Sequence, residues 1–270
     1  MFTENNKVVG FLFCLLFLAS PCWAYTIEHL KSGDTYQIQR ANLVYVPILS
    51  DPRLVIVFCA LHEDKDTFLN ETRLLADRLA ATKPFSTYMQ AIDLYRIVLA
   101  PEEVDIIFKP VSGLPPLKVR RELLDRITAE LKRPFKLIIT DATGGTSIAE
   151  LSTPKAMSLV ILGRNRYRSA ADFSKGFLHE LGHALGLRDE RPDNNGAISL
   201  PGPPNCAATL DDAKAWWGDL ASPNGRVGYI EGCGGNIHFI RPTIASFMND
   251  PEKAGDFGPV NERYLSRIFQ

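Results

Sequence analysis

The chain is 270 residues long, 46% hydrophobic, 10% aromatic and 23% charged, which excludes disordered, collagen-like and coiled-coil classes. Lys and Arg number 30 against 31 Asp and Glu, a formal net charge of -1, so no basic excess points to nucleic acid and no acidic block to a solvating tail. The length admits one large domain or two small ones, and either can bury a sizeable core.

Residues 1–24 carry one cation, Lys7, then an apolar run over 8–19, then Ser20 and Pro21, and close on Cys22-Trp23-Ala24, with small residues at -3 and -1 of a cut after Ala24. This is the layout of a secretory signal peptide. The apolar run is too short to span a bilayer as a lone helix. The mature chain is therefore expected to be exported, periplasmic or extracellular, with no stable membrane anchor after cleavage. Lipid attachment at Cys22, for which Pro21 is the wrong small residue to precede it, and an uncleaved anchor are the lesser alternatives. Residues 25–50 read as an N-terminal extension and 51–270 as the folded domain.

Residues 54–60, an unbroken apolar run, predict a buried strand, and Cys59 within it a small buried apolar residue. Residues 66–81 place Phe68, Leu69, Leu74, Leu75 and Leu79 near helical spacing, and Pro84 follows as a stop. Residues 95–99 and 104–108 predict strands parted by Pro101, and 119–131 a second amphipathic helix bearing Val119, Leu123, Leu124, Ile127 and Leu131. Residues 136–140 and 158–162 predict two more strands. Strands alternating with helices argue for an α/β layered domain. Residues 187–260 are rich in Gly, Pro, Asn and Asp with little periodicity, a texture that in a folded domain usually builds a site. Cys206 and Cys233 lie in this stretch and are expected to pair in an oxidising compartment, two free thiols being the alternative.

The chemistry concentrates in residues 169–186, SAADFSKGFLHELGHALG. Ser169 followed by Asp172 forms a capping-box start, and Gly186 a stop. Phe173, Phe177, Leu181 and Ala184 recur at helical spacing. Within this helix His179-Glu180-Leu181-Gly182-His183 is an H-E-x-x-H motif. Residues i and i+4 lie about 40° apart around a helix axis, so His179 and His183 project side by side and can share one metal ion. They are expected to face out while the apolar stripe packs inward. Glu180 stands beside that ion as the general base and acid.

The longer string, H-E-x-x-H-x-x-G-x-x-D, resembles the metzincin zinc-peptidase signature, with Gly186 at the turn and Asp189 at the position of the third ligand. Glu190, the neighbour, is the competing carboxylate. Ser246-Phe247-Met248 is similar to the S-x-M of the metzincin Met-turn, which underlies the zinc ligands. Phe68, Leu74, Leu79 and Pro84-Phe85 resemble the N-terminal helix of the IgA-specific metallopeptidase family. So do 228–234, Arg241-Pro242-Thr243 and 257–262, the last of these expected to lead into a final helix. The likeness departs at Arg191, where that family tends to carry Tyr, and at Asp250, where some metzincins place a Tyr beside zinc.

The resemblance implies a mixed twisted sheet with an active-site helix and a loop-rich C-terminal subdomain ending in a helix. It implies zinc held by His179, His183 and Asp189, and an exported endopeptidase acting on a peptide or protein. The substrate would lie extended along an edge strand within 143–150, making Gly144, Gly145 and Thr146 candidate substrate-binding residues. The alternative is a zinc-binding module without catalysis, an adhesin or binding protein of the same fold. Glu180, which such a module does not need, favours the enzyme. A further alternative draws the third ligand from a distant acid such as Glu231. His238, His62, His29 and the Trp216-Trp217 pair are lesser candidates, read as ordinary surface or core groups.

Overall fold

Three apolar runs form the centre of one sheet. The computed structural model describes residues 26–31, 34–36, 53–61, 64–98, 107–108, 117–118, 125, 127–129, 131, 133–193, 199–223 and 225–270. Its strands are β1 (Thr26–Lys31), β2 (Asp34–Tyr36), β3 (Leu54–Leu61), β4 (Ile92–Val98), β5 (Ile107–Phe108), β6 (Leu117–Lys118), β7 (Lys136–Asp141), β8 (Ile148–Ala149), β9 (Ser158–Gly163), β10 (Ile230–Cys233) and β11 (Asn236–Arg241). The α-helices are α1 (Lys65–Ala80), the single turn α2 (Phe85–Tyr88), α3 (Ala170–Ala184), α4 (Leu210–Trp217) and α5 (Pro259–Ser266), with further helical residues at 125, 127–129 and 131. The signal segment, His62 and most of the expected 119–131 helix lie outside the described residues, as does the side chain of His29.

The main sheet has seven strands in the order β2-β1-β4-β3-β7-β9-β8. β4, β3, β7 and β9 run parallel, in registers such as Ile56 opposite Leu94 and Lys136, and Ile138 opposite Val160. β8 closes one edge antiparallel to β9, and β1 pairs antiparallel with β4. The fold is thus mixed α/β. Thr26–Lys31 and Asp34–Tyr36, within the expected N-terminal extension, add strands to the sheet. The expected strand at 95–99 begins three residues earlier, at Ile92, and of the one expected at 104–108 the described residues Ile107–Phe108 form a strand, paired with β6 in a separate two-stranded sheet.

Parallel strands covered on both faces read as continuous apolar runs rather than alternating ones. Every residue of β7 and β9 is buried. On one face Ile56, Phe58, Ile138, Val160 and Leu162 pack against Phe68, Leu75 and Leu79 of α1 and Phe173, Phe177 and Leu181 of α3. On the other, Val55, Val57, Leu137, Ile139 and Ile161 pack against Ile127, Leu131 and Phe135. α1 starts where Asp64 accepts the Thr67 amide at 3.0 Å.

The C-terminal third is a second layer across the outer side of α3. It holds α4, the β10–β11 hairpin, a long turn carrying Met248, and α5. Cys206 and Cys233 are bonded, with Cα atoms 5.8 Å apart. Trp217 is buried and donates from its indole to the Gly228 carbonyl at 2.9 Å, while Trp216 is half-buried. Among the described residues no helix is long and apolar enough to cross a membrane.

Candidate metal centre

Local chemistry sets both ends of α3. Ser169 accepts the Asp172 amide at 3.1 Å and its hydroxyl donates to the Asp172 carboxylate at 2.7 Å. At the other end Gly186 has φ +105°, and the Leu187 and Gly186 amides return to the Gly182 and His183 carbonyls. That is a Schellman stop, which favours glycine because the position is left-handed. Phe173, Phe177, Leu181 and Ala184 are fully buried, and each large side chain contributes about 1.5–3 kcal/mol of burial.

His179 does not face solvent as the stripe alone predicts, and His183 is half-buried. His179 is 3% exposed and Glu180 5%. The C-terminal layer supplies the second wall, with Phe247, Met248 and Phe257 packed in the same core as α3. An amphipathic pattern shows one buried face; it carries no signal for a later segment that covers the other.

The two imidazoles converge. His179 Nε2 and His183 Nε2 are 3.2 Å apart. Each Nδ1 is held by a backbone carbonyl, His179 by Phe247 at 2.7 Å and His183 by Leu187 at 2.9 Å. A carbonyl only accepts, so each Nδ1 carries the proton and each Nε2 turns its lone pair to the shared space. Glu180 completes a group whose ligand atoms lie within 4.8 Å of one another, and this group can hold a metal ion. Burial, reinforced by the charge of His183, pushes His179 down to about 3, so its ring is neutral and ligand-competent across ordinary pH. Burial also raises Glu180 above the usual carboxylate range, against the opposing pull of His183, Arg166 and Arg191.

Asp189 stands close by but is engaged elsewhere. Arg191 Nε donates to both its carboxylate oxygens, at 2.9 and 3.1 Å, and Nη2 to one of them at 2.7 Å. Burial would raise the Asp189 carboxyl, but the Arg191 hydrogen bonds, together with the neighbouring His179, Arg191 and His183, outweigh it and hold the group low. The donor set thus fits a metal at His179, Glu180 and His183, whereas the third position marked by spacing is tied to an arginine.

Glu190 is no rival ligand. It is fully buried and turned the other way, accepting from Ser246 Oγ at 2.6 Å, Asn261 Nδ2 at 2.8 Å and Asn205 Nδ2 at 2.9 Å. It ties the turn carrying Met248 and α5 to the segment behind Asp189. Burial raises its pKa, and the three hydrogen bonds oppose that. Glu231 and His238 are exposed on the hairpin, and Asp250 pairs with Lys253 at 2.9 Å.

Met248 lies under the helix. A Cβ on Gly182 would stand 2.5 Å from its sulfur. Ser246-Phe247-Met248 is therefore fastened at each residue: Ser246 to Glu190, Phe247 to His179, and Met248 by its carbonyl to the Glu190 amide at 2.9 Å.

Gly144, Gly145 and Thr146 lie in the turn that leads into β8. The Gly144 amide donates to Asp141 at 3.0 Å and its carbonyl accepts from Asn165 at 3.0 Å, so its backbone bonds run to the turn and not to the histidines. The other end of this segment does reach the site helix, where the Ser152 amide donates to the His183 carbonyl at 3.2 Å. Tyr167 and Arg191 were not among the residues that motif spacing marks. Tyr167 donates to Ser147 Oγ at 2.9 Å and lies over Gly176, one turn before Glu180; Arg191 is visible in the sequence only as a departure from the family pattern.

Comparison with protein-family models finds no match for this chain, and comparison with curated proteins finds none either.

Proposed function

We propose that the chain is an exported zinc-dependent endopeptidase of metzincin type. One observation carries the reading: a pair of imidazoles, His179 buried and His183 half-buried, each with Nδ1 held by a carbonyl and Nε2 turned to a common point, with Glu180 in the same group. Two imidazoles with carboxylate neighbours are donors suited to zinc. The parallel strands β4, β3, β7 and β9 with the antiparallel edge strand β8, the helix beneath them and Met248 under that helix all support the metzincin likeness. The signal-like residues 1–24 and the Cys206–Cys233 bond support export, since disulfides persist in oxidising compartments.

When bound, zinc supplies Lewis acidity toward a peptide carbonyl and toward water. His179 and His183 would hold the ion, with Asp189 the third ligand once Arg191 releases it. Glu180, kept out of bulk water and raised in pKa, takes a proton from the attacking water and returns it to the leaving amine. β8, at the open edge of the sheet, offers an extended peptide a strand to pair with.

The second reading, a zinc-binding module without catalysis, is favoured by one observation, the engagement of Asp189 by Arg191. Purified protein and its Glu180→Gln variant separate the two. The enzyme reading expects both to bind one zinc, with the variant losing about 10²- to 10⁴-fold in cleavage of a mixed peptide library. Zinc in both and cleavage by neither selects the module. Zinc in neither rejects both readings.

A further inference from the structure

Arg191 reaches the two groups that the proposed ion needs. Its guanidinium forks onto Asp189, and its Nη2 lies 3.1 Å from His179 Nε2. The direction of that last contact follows from chemistry. A guanidinium has donors and no acceptor, and the His179 proton sits on Nδ1 against Phe247, so Nη2 donates into the Nε2 lone pair. The Arg191 amide adds a fourth bond to Asp189, at 3.2 Å. The side chain of Asp189 is 6% exposed and that of Arg191 29%, so the pair is partly withdrawn from water.

An imidazole nitrogen has one lone pair. It can accept a hydrogen bond or coordinate an ion, not both at once. A zinc–imidazole bond of about 2.0–2.1 Å also puts the ion closer to Nε2 than the guanidinium now stands, and the two are like charges. We propose that Arg191 is an internal cation that competes with the metal for His179 and Asp189 and so sets the affinity of the site. This rests on the metallopeptidase reading above. In this arrangement the buried Asp189 carboxylate already has its counter-charge, and an arriving ion gains only the difference between itself and the guanidinium. The backbone makes the contest local: the Gly234 amide holds the Asp189 carbonyl and the Gly235 amide the Arg191 carbonyl, both at 2.9 Å, so Arg191 can leave by side-chain rotation alone.

The opposite role is chemically reasonable, and it predicts the opposite sign. A partner that orients a ligating carboxylate strengthens metal binding, and its removal weakens affinity about 10- to 100-fold. A competitor's removal tightens it, by about 10- to 100-fold if one charge-assisted hydrogen bond no longer has to be broken.

The test measures zinc affinity by competition with a chromophoric chelator for the native chain, Arg191→Gln, Arg191→Lys and His179→Ala, with melting temperatures taken with and without zinc. The expected result is tighter zinc in Arg191→Gln. A smaller tightening is expected in Arg191→Lys, which keeps the charge but cannot fork and which stands in should Arg191→Gln fail to fold. Zinc should also raise the melting temperature of Arg191→Gln by more than that of the native chain. Equal or weaker zinc binding in both Arg191 variants overturns the competitor role alone. Zinc binding by none of the proteins, or by His179→Ala as tightly as by the native chain, overturns the metal reading itself.

Discussion

The contact between Gly182 and Met248 gives the sharpest prediction about how the site is built. In Gly182→Ala the new Cβ would meet Met248 Sδ at 2.5 Å and Met248 Cε and Phe257 Cε1 at 3.3 Å. Met248 and Phe257 are both fully buried, so neither can swing into solvent. Overpacking of this kind costs about 1–3 kcal/mol. Helix propensity opposes it, since Ala is favoured over Gly in a helix interior by about 1 kcal/mol. The net expectation is a loss of about 1 kcal/mol, where propensity alone predicts a gain of that size. Met248→Ala by itself opens a cavity and costs about 2–5 kcal/mol. In the double variant the added methyl occupies part of that cavity, so the double variant should lose at least about 1 kcal/mol less than the two single losses added together, a coupling typical of residues in contact. Urea denaturation of all four proteins, with m checked for constancy, measures the cycle. A stabilised Gly182→Ala, or additivity within about 0.5 kcal/mol, would show that Met248 does not support the helix at this point.

Glu190 is expected to act through hydrogen bonding more than through charge. Glu190→Ala leaves one N–H of each of the Asn205 and Asn261 side-chain amides without its acceptor in the core and should cost about 3 kcal/mol. Glu190→Gln can keep its oxygen for those amides and offer its own NH₂ to the Ser246 and Thr243 hydroxyls, which can turn to accept, so about 1 kcal/mol or less is expected. The raised pKa sets the sign of a pH effect. The native state holds this proton more tightly than the unfolded chain, so its contribution is full below the ordinary Glu value and is lost as pH rises through the higher folded value. Stability curves from about pH 4 to about pH 7 should show a smaller acid-side advantage in Glu190→Gln than in the native chain; identical curves would remove Glu190 as the source. Replacing Cys206 and Cys233 together by Ala opens a crosslink 27 residues long and should lower stability by about 3.5 kcal/mol in urea, whereas a loss under about 1 kcal/mol would mean that the loop is ordered without it.

The parts of the fold legible in the sequence are those whose signals are local. Ser169 and Gly186 bracket α3 because a cap and a left-handed stop act within a few residues of themselves, and both are found in place. β3, β7 and β9 are legible because burial on both faces leaves a continuous apolar run at the centre of each, residues 137–139 in β7 and 159–162 in β9. The two-residue strand β8 and the β1–β2 pair are too short, or too polar in pattern, to stand out from loops. The β10–β11 hairpin turns on Gly234 and Gly235, both at positive φ, in a stretch where Gly is common enough to hide the turn.

The site divides in the same way. His179, Glu180 and His183 come together because helical spacing alone requires it. The roles of Asp189, Glu190 and Arg191 depend on which side of a non-helical segment each one faces. Asp189 and Arg191, two apart, share the side toward His179 and meet there; Glu190, between them, faces the core and finds Ser246, Asn205 and Asn261. Spacing identifies a carboxylate at the third position but carries no term for a cation two residues later that reaches the same lone pairs. Three adjacent residues thus hold the proposed ligand, its competitor and the tie to the turn under the helix. A substitution at any one of them is expected to register on metal affinity, on stability or on both, according to the side it faces.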